Sequence, residues 1–235
     1  MAIKGILFDK DGTLLDFHET WMPSIKALVG FLGDGRPELE DRLLETGGFD
    51  KATGRVLSGS ILAAGHPGDL AEAWVDLLPE HARDLDKVTA IIEAFFEENV
   101  EPKPVCDLSA FADALLAQGM VLGIATNDSA AGIETSLNGT GFLEKVAFKA
   151  GYDSGHGGKP GPGMGLAFCK ATGLDPSEVM MVGDNSHDME MGRAAGCGML
   201  VGVLTGNSSR DDLTPMADHV LDTIEGLPAL VATGI

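Results

Sequence analysis

Hydrophobic and polar positions follow two rhythms along this chain. Nearly continuous apolar runs occur at Ile3–Phe8, Met120–Ala125, Val179–Val182 and Met199–Leu204, with a weaker one at Lys145–Phe148. Such short runs, bounded by polar turns, predict strands buried on both faces, as in parallel sheets. Between them, Leu108–Gln118, Ala130–Leu137, Gly165–Thr172 and Asp188–Ala195 carry apolar residues at helical spacing. Alternating strands and helices predict an α/β fold, a Rossmann-like parallel sheet with helices on both faces.

Residues 16–101 break that alternation. They predict helices over Glu19–Leu32, Pro37–Glu45, Lys51–Ala64, Asp69–Leu78 and Asp86–Asn99. Breakers at Gly33-Asp34-Gly35, Gly47-Gly48 and Gly65-His66-Pro67-Gly68 separate them. The expectation is an all-helical insert at 16–101, with residues 1–15 and 102–235 forming the core domain. Glu101-Pro102-Lys103-Pro104 would be the return linker.

The three strongest apolar runs each end in chemically capable residues. The first leads into Phe8-Asp9-Lys10-Asp11-Gly12-Thr13, the second into Thr126-Asn127, the third into Gly183-Asp184-Asn185-Ser186-His187-Asp188. In an open parallel sheet, ligands bind at the carboxyl ends of the strands, so these distant motifs are expected to converge. The closely spaced Asp9 and Asp11 suit a nucleophile and a general acid/base acting on one phosphorus atom. Gly12 permits the tight turn, and Thr13 is expected to fix it by hydrogen bonding. Thr126 and Asn127 can hold phosphoryl oxygens through a hydroxyl and backbone N–H groups; the same residues can equally begin a helix cap. Lys159, in the Gly-rich stretch Gly155–Gly165, can neutralise charge on nucleophile and phosphoryl group. Asp184 offers hard oxygen to Mg²⁺. Asp188 either joins it or favours a helix N-terminus by its charge. Strand alternation points Lys10 away from the phosphorus toward solvent, where it would cover the rim or bind an anionic substrate tail.

Taken in order, Asp9-Lys10-Asp11-Gly12-Thr13, Thr126-Asn127, Lys159-Pro160 and Gly183-Asp184 through Asp188 resemble the motif set of the haloacid dehalogenase superfamily of phosphohydrolases. The resemblance spans nearly the whole chain and departs at Lys10, where members generally carry an apolar or small residue. It implies a Mg²⁺-dependent phosphatase working through an aspartyl-phosphate on Asp9, with Asp11 as general acid. It also implies Thr126, Asn127 and Lys159 on the phosphoryl oxygens, and Asp9, Asp184, Asp188 and the Asp11 carbonyl around the metal. The insert matches the helical cap of the branch similar to phosphoglycolate phosphatases. Such caps exclude water and select substrates. Arg55, in Thr53-Gly54-Arg55-Val56, is the candidate substrate contact there, a surface salt bridge being the plain alternative. Trp21 and Trp74 are expected to pack within the insert.

The implied substrate is a small phosphorylated metabolite. A phosphomutase similar to beta-phosphoglucomutase shares all four motifs and is one alternative; a non-catalytic phospho-ligand binding module is another. A dehalogenase of this superfamily lacks the second aspartate, so Asp11 argues against it.

Composition adds limits. Hydrophobic residues make up 44% of the 235 positions, enough for a substantial core. The net charge of −20 repels nucleic-acid phosphates and anionic membranes, so neither is an expected partner. A phosphate site must then carry local cations, a part for Lys159 and Mg²⁺. Cys106, Cys169 and Cys197 show no metal or redox spacing and are expected as buried free thiols. No secretory pattern opens the chain, and no apolar run approaches the ~20 residues that span a bilayer. The expectation is a cytoplasmic enzyme, monomer or homodimer.

Overall fold

The computed structural model describes residues 2–234. The chain opens with β1 (Gly5–Phe8) and continues into α1 (Phe17–Gly33) and α2 (Pro37–Gly47). A small hairpin, β2 (Phe49–Asp50) and β3 (Arg55–Val56), precedes α3 (Ile61–Ala64), α4 (Pro67–Val75) and α5 (Leu85–Asn99). Alternation then begins: α6 (Leu108–Leu116), β4 (Val121–Ala125), α7 (Ala130–Leu137), β5 (Phe148–Ala150), α8 (Gly163–Thr172) and β6 (Val179–Gly183). It ends with α9 (Ser186–Ala195), β7 (Met199–Val203), α10 (Arg210–Leu213), β8 (His219–Leu221) and α11 (Leu227–Ala232).

Six strands form one parallel sheet in the order β5-β4-β1-β6-β7-β8. The chain builds from β1 through β4 to β5, then returns to β1's other side for β6, β7 and β8. That reversal makes β1 the topological switch point, where a crevice opens beyond the strand ends. Register aligns the motifs: Phe8 lies opposite Ile124 on one side and Val182 on the other. Successive side chains go to opposite faces. Ile6, Phe8, Ile124 and Val182 enter one core layer with Phe111, Ile133 and Phe142. Leu7, Ala125 and Met181 enter the other with Met164, Phe168 and Met189. Both faces are covered, which is why the strands are apolar at consecutive positions.

The chain divides into two compact units: residues up to Phe17 with those from Pro102 onward, and His18–Glu101. The division falls slightly later than residue 16 because the Asp16 and Phe17 N–H groups donate to Lys103 (2.9 Å) and Thr205 (3.2 Å) carbonyls of the first unit. The second unit has its own core of Leu28, Val29, Leu43, Leu70, Trp74, Val88 and Ile92. Trp74 is fully buried there, its indole N–H donating to the Leu43 carbonyl at 2.8 Å. Trp21 meets Phe96 edge-on, with ring centres 5.6 Å apart.

Three expectations about secondary structure need correction. The second unit is not all-helical, since β2 and β3 pair antiparallel with Asp50 opposite Arg55. The expected helix Lys51–Ala64 shrinks to α3, because the Asp50 carboxylate captures the Ala52 N–H (2.9 Å) and Thr53 hydroxyl (2.8 Å) in a local turn. Such side-chain-to-backbone bonds compete with helix formation. The weaker strand also begins later than expected, at Phe148, with Leu143–Lys145 forming a tight helical turn. There the Lys145 ammonium bonds the Ser109 carbonyl at 2.9 Å and Asp113 at 2.6 Å.

The three cysteines are free, with Cys169 buried and Cys106 and Cys197 partly exposed rather than buried as expected. Among the described residues, no helix is long and apolar enough to cross a membrane.

Candidate active site

Asp9 sits one residue past β1, and its N–H continues the ladder by donating to the Val182 carbonyl at 2.9 Å. The chain then turns sharply. The Lys10 carbonyl accepts from the N–H groups of Thr13 (3.3 Å), Leu14 (2.9 Å) and Leu15 (3.0 Å). Gly12 takes a φ of +84°, a left-handed conformation that side chains disfavour. The expected role of Thr13 is corrected here: its buried hydroxyl has no hydrogen-bond partner among the described residues. Thr205 holds the turn instead, donating its hydroxyl to the Gly12 carbonyl at 2.7 Å.

Three buried carboxylates converge beside this turn. Asp9, Asp184 and Asp188 each present an oxygen within 4.8 Å of the others. Asp184 follows β6 directly, and its Oδ2 accepts from the Asn207 N–H at 3.0 Å. Asp188 lies in the first turn of α9, where its Oδ2 accepts from the Asn185 N–H at 3.0 Å. It therefore caps the helix and joins the cluster at once. Lys159 donates to Asp9 Oδ1 at 2.5 Å and to Asp188 Oδ1 at 2.6 Å. The packing depends on a missing side chain, because a Cβ on Gly206 would lie 1.8 Å from Asp184 Oδ2. The Asp11 side chain is not one of the three clustered carboxylates.

Charge in the cluster is unbalanced, with three carboxylates against one ammonium. Burial pushes the Asp9 carboxyl up to about 6, with Lys159 opposing and Asp188 adding to the rise. Burial, then the charges of Asp9 and Asp188, hold Asp184 well above the usual carboxylate range. Burial draws Lys159 down, but Asp188 and Asp9 outweigh it and hold the amine above its ordinary value. A dry, oxygen-rich site with excess negative charge suits a hard divalent cation such as Mg²⁺.

Thr126 follows β4 directly, with its N–H on the Ala150 carbonyl (3.0 Å), and its hydroxyl accepts from the Asp128 N–H (3.1 Å). Asn127 uses both ends of its side chain on Lys159: Oδ1 accepts from the Lys159 N–H at 2.7 Å, and Nδ2 donates to the Lys159 carbonyl at 3.1 Å. Its amide thus grips the lysine's backbone. The helix cap belongs to Ser129, whose hydroxyl accepts from Gly132 at 3.0 Å.

Lys10 departs from expectation. Alternation does carry it away from Asp9, but toward the face layered by α7, so its side chain is fully buried rather than at the solvent rim. Its ammonium lies 2.7 Å from Asp11 Oδ2, 3.0 Å from Asp128 Oδ2 and 3.4 Å from Ser136 Oγ. Burial raises the Asp11 carboxyl, with Lys10 opposing and Asp128 adding. Arg55 is an exposed residue of β3 in the second unit.

Sequence reasoning missed Asp128, Ser136, Thr205, Gly206 and Asn207. One signal was present: Thr205-Gly206-Asn207-Ser208 follows the fifth apolar run as the other motifs follow theirs.

Residues 3–196 match the family model of the haloacid dehalogenase-like hydrolases. The chain is 29% identical over 198 residues to N-acetylmuramic acid 6-phosphate phosphatase of Pseudomonas putida, covering 83% of this chain and 81% of the relative. It is 26% identical over 205 residues to phosphoglycolate phosphatase of Thiobacillus denitrificans, covering 84% and 82%. A crystal structure from Haemophilus somnus, described as a predicted phosphoglycolate phosphatase, superimposes with a TM-score of 0.71 over 97% of both chains at 20% identity. With four motifs meeting at one strand-end crevice and the family model matching most of its length, the chain belongs to the haloacid dehalogenase-like hydrolases.

Proposed function

We propose that this hydrolase is a Mg²⁺-dependent phosphatase that cleaves a small phosphorylated metabolite through a phosphorylated Asp9. The observation that carries the reading is the convergence of Asp9, Asp184 and Asp188 around Lys159, with Asp11 on the same turn.

An Asp9 carboxylate oxygen attacks phosphorus while the bond to the ester oxygen breaks. Asp11, protonated, gives its proton to that departing oxygen, releasing the alcohol and leaving Asp9 phosphorylated. Asp11, now a carboxylate, takes a proton from water. The water oxygen attacks phosphorus, the Asp9 carboxylate departs, and inorganic phosphate leaves. Thr126, the Asn127 N–H and Lys159 hold the phosphoryl oxygens throughout.

Hard carboxylate oxygens and uncompensated charge fit Mg²⁺. Asp9 and Asp184, with the Asp11 carbonyl, would hold it directly, and Asp188 from further out because both its oxygens already accept hydrogen bonds. When bound, the ion neutralises charge on the attacking carboxylate and the phosphoryl oxygens.

The unit His18–Glu101 is proposed as the cap that selects substrates, with Arg55 its candidate contact. The named activities of the relatives, on N-acetylmuramic acid 6-phosphate and on phosphoglycolate, support a small phosphate ester as substrate. The free cysteines fit a reducing cytoplasm.

The test is a panel of phosphate esters, phosphoglycolate and amino-sugar phosphates included, with Mg²⁺ and with EDTA, reading both free phosphate and organic product. Phosphate release that requires Mg²⁺ is expected. An isomerised ester without released phosphate would mean a mutase. Silence on every compound by folded protein would leave a binding module.

A further inference from the structure

We propose that Lys10, braced by Asp128, is a positioning residue that sets the Asp11 carboxyl for proton transfer. The inference rests on the phosphatase reading and deepens it. The two aspartates of the β1 turn are each held by a separate buried lysine: Asp9 by Lys159 and Asp11 by Lys10.

The physical argument begins with cost. A fully buried ammonium is strongly unfavourable unless paired. Lys10 is paired twice, to Asp11 Oδ2 and Asp128 Oδ2, and reaches Ser136 on α7. Asp128 is itself fixed, since its Oδ1 accepts from the Ser129 N–H at 2.6 Å. Its carboxylate also occupies the space over Gly132, where a Cβ would lie 2.2 Å from Oδ2. A chain of fixed groups therefore runs from the start of α7 to Asp11.

The Asp11 side chain is 23% exposed, and the contact with Lys10 anchors its Oδ2 to that chain. With Oδ2 held against the Lys10 ammonium, the carboxyl keeps one orientation while the acid's proton is transferred. That proton passes to the ester oxygen as the phosphorus–oxygen bond breaks, and the bond's electron pair goes to the departing oxygen. Lys10 gives up no proton and touches no substrate; it fixes where the Asp11 carboxyl stands. Lys10 thus places an internal brace beside the acid.

Leaving-group dependence separates this role from a structural one. An alkyl phosphate needs a proton on its departing oxygen, whereas 2,4-dinitrophenyl phosphate does not. The measurement is kcat/KM for phosphoglycolate and for 2,4-dinitrophenyl phosphate, with saturating Mg²⁺, for the wild type, Lys10→Met, Lys10→Arg and Asp128→Asn. It reports the steps through bond cleavage. Lys10→Met should lose about 10²-fold on the alkyl ester, the scale of general-acid catalysis, and only severalfold on the aryl ester. Lys10→Arg should recover most of the alkyl loss. Asp128→Asn, which keeps the Lys10–Asp11 pair, should show a milder loss with the same alkyl bias. Equal losses on both esters across the three variants would overturn the brace while leaving the phosphatase reading intact. A folded wild type inactive on both esters would overturn the phosphatase reading and the brace with it.

Discussion

Replacing Asp9 with asparagine should abolish phosphate release and, in metal-free protein at neutral pH, raise stability. The second effect follows from burial of the Asp9 carboxyl, which Lys159 opposes and Asp188 reinforces. Folding moves the Asp9 carboxyl from 3.8 to about 6. Because this acid's value is raised, the folded state holds its proton more tightly than the unfolded state does. Wild-type stability should therefore fall as pH rises from about 4 to about 6, and change little from this source above that window. At ~1.4 kcal/mol per unit, the ionised carboxylate costs the folded state up to about 3 kcal/mol near pH 7.5. Asparagine does not ionise and escapes the cost, while retaining an oxygen that can accept from Lys159. For a chain of this size, that corresponds to roughly 6–12 °C in Tm. The assay is thermal unfolding followed by circular dichroism in EDTA, at pH 7.5 and pH 4, beside phosphate release with Mg²⁺. The variant should be the more stable at pH 7.5, and the difference should shrink toward zero at pH 4. If it is no more stable than the wild type at pH 7.5, the account of the cluster's electrostatics is wrong. Substantial residual turnover would instead remove Asp9 as the nucleophile.

Gly206→Ala should drive a methyl group into the Asp184 carboxylate, weakening Mg²⁺ activation at least tenfold; an unchanged Mg²⁺ titration would show that the loop yields. Asn127→Ala should release the Lys159 backbone and lower kcat about tenfold with the fold intact, and an unaltered kcat would reduce Asn127 to a loop contact. Arg55→Ala should change preference among natural phosphate esters yet spare generic aryl-phosphate hydrolysis; matched behaviour on both would return Arg55 to the surface.

How much of this was legible before folding depends on where the information sits. The apolar runs at Ile3–Phe8, Met120–Ala125 and Val179–Val182 marked strands buried on both faces, because such strands cannot tolerate polar positions. Polar residues at their ends marked the crevice, because backbone direction puts every strand end of a parallel sheet on one side. Asp9, Asp184, Asp188 and Lys159 could thus be nominated from the chain alone, and they converge in the fold. Residues 51–64 were misread because helical spacing said nothing of the Asp50 side chain, whose local hydrogen bonds turn the chain first. Lys10 was misread for a different reason. Alternation told which face it takes, but whether that face meets water or α7 is a matter of packing between residues more than a hundred positions apart. Thr205 on the Gly12 turn is as distant in sequence, and Asn207 on Asp184 and Asn127 on Lys159, though nearer along the chain, are likewise set by packing. The chain by itself determined which side chains could do chemistry and which strand ends carry them. Only the tertiary structure decided which lysine holds which carboxylate, because hydrogen bonds and desolvation act over a few ångströms of space and take no account of distance along the sequence.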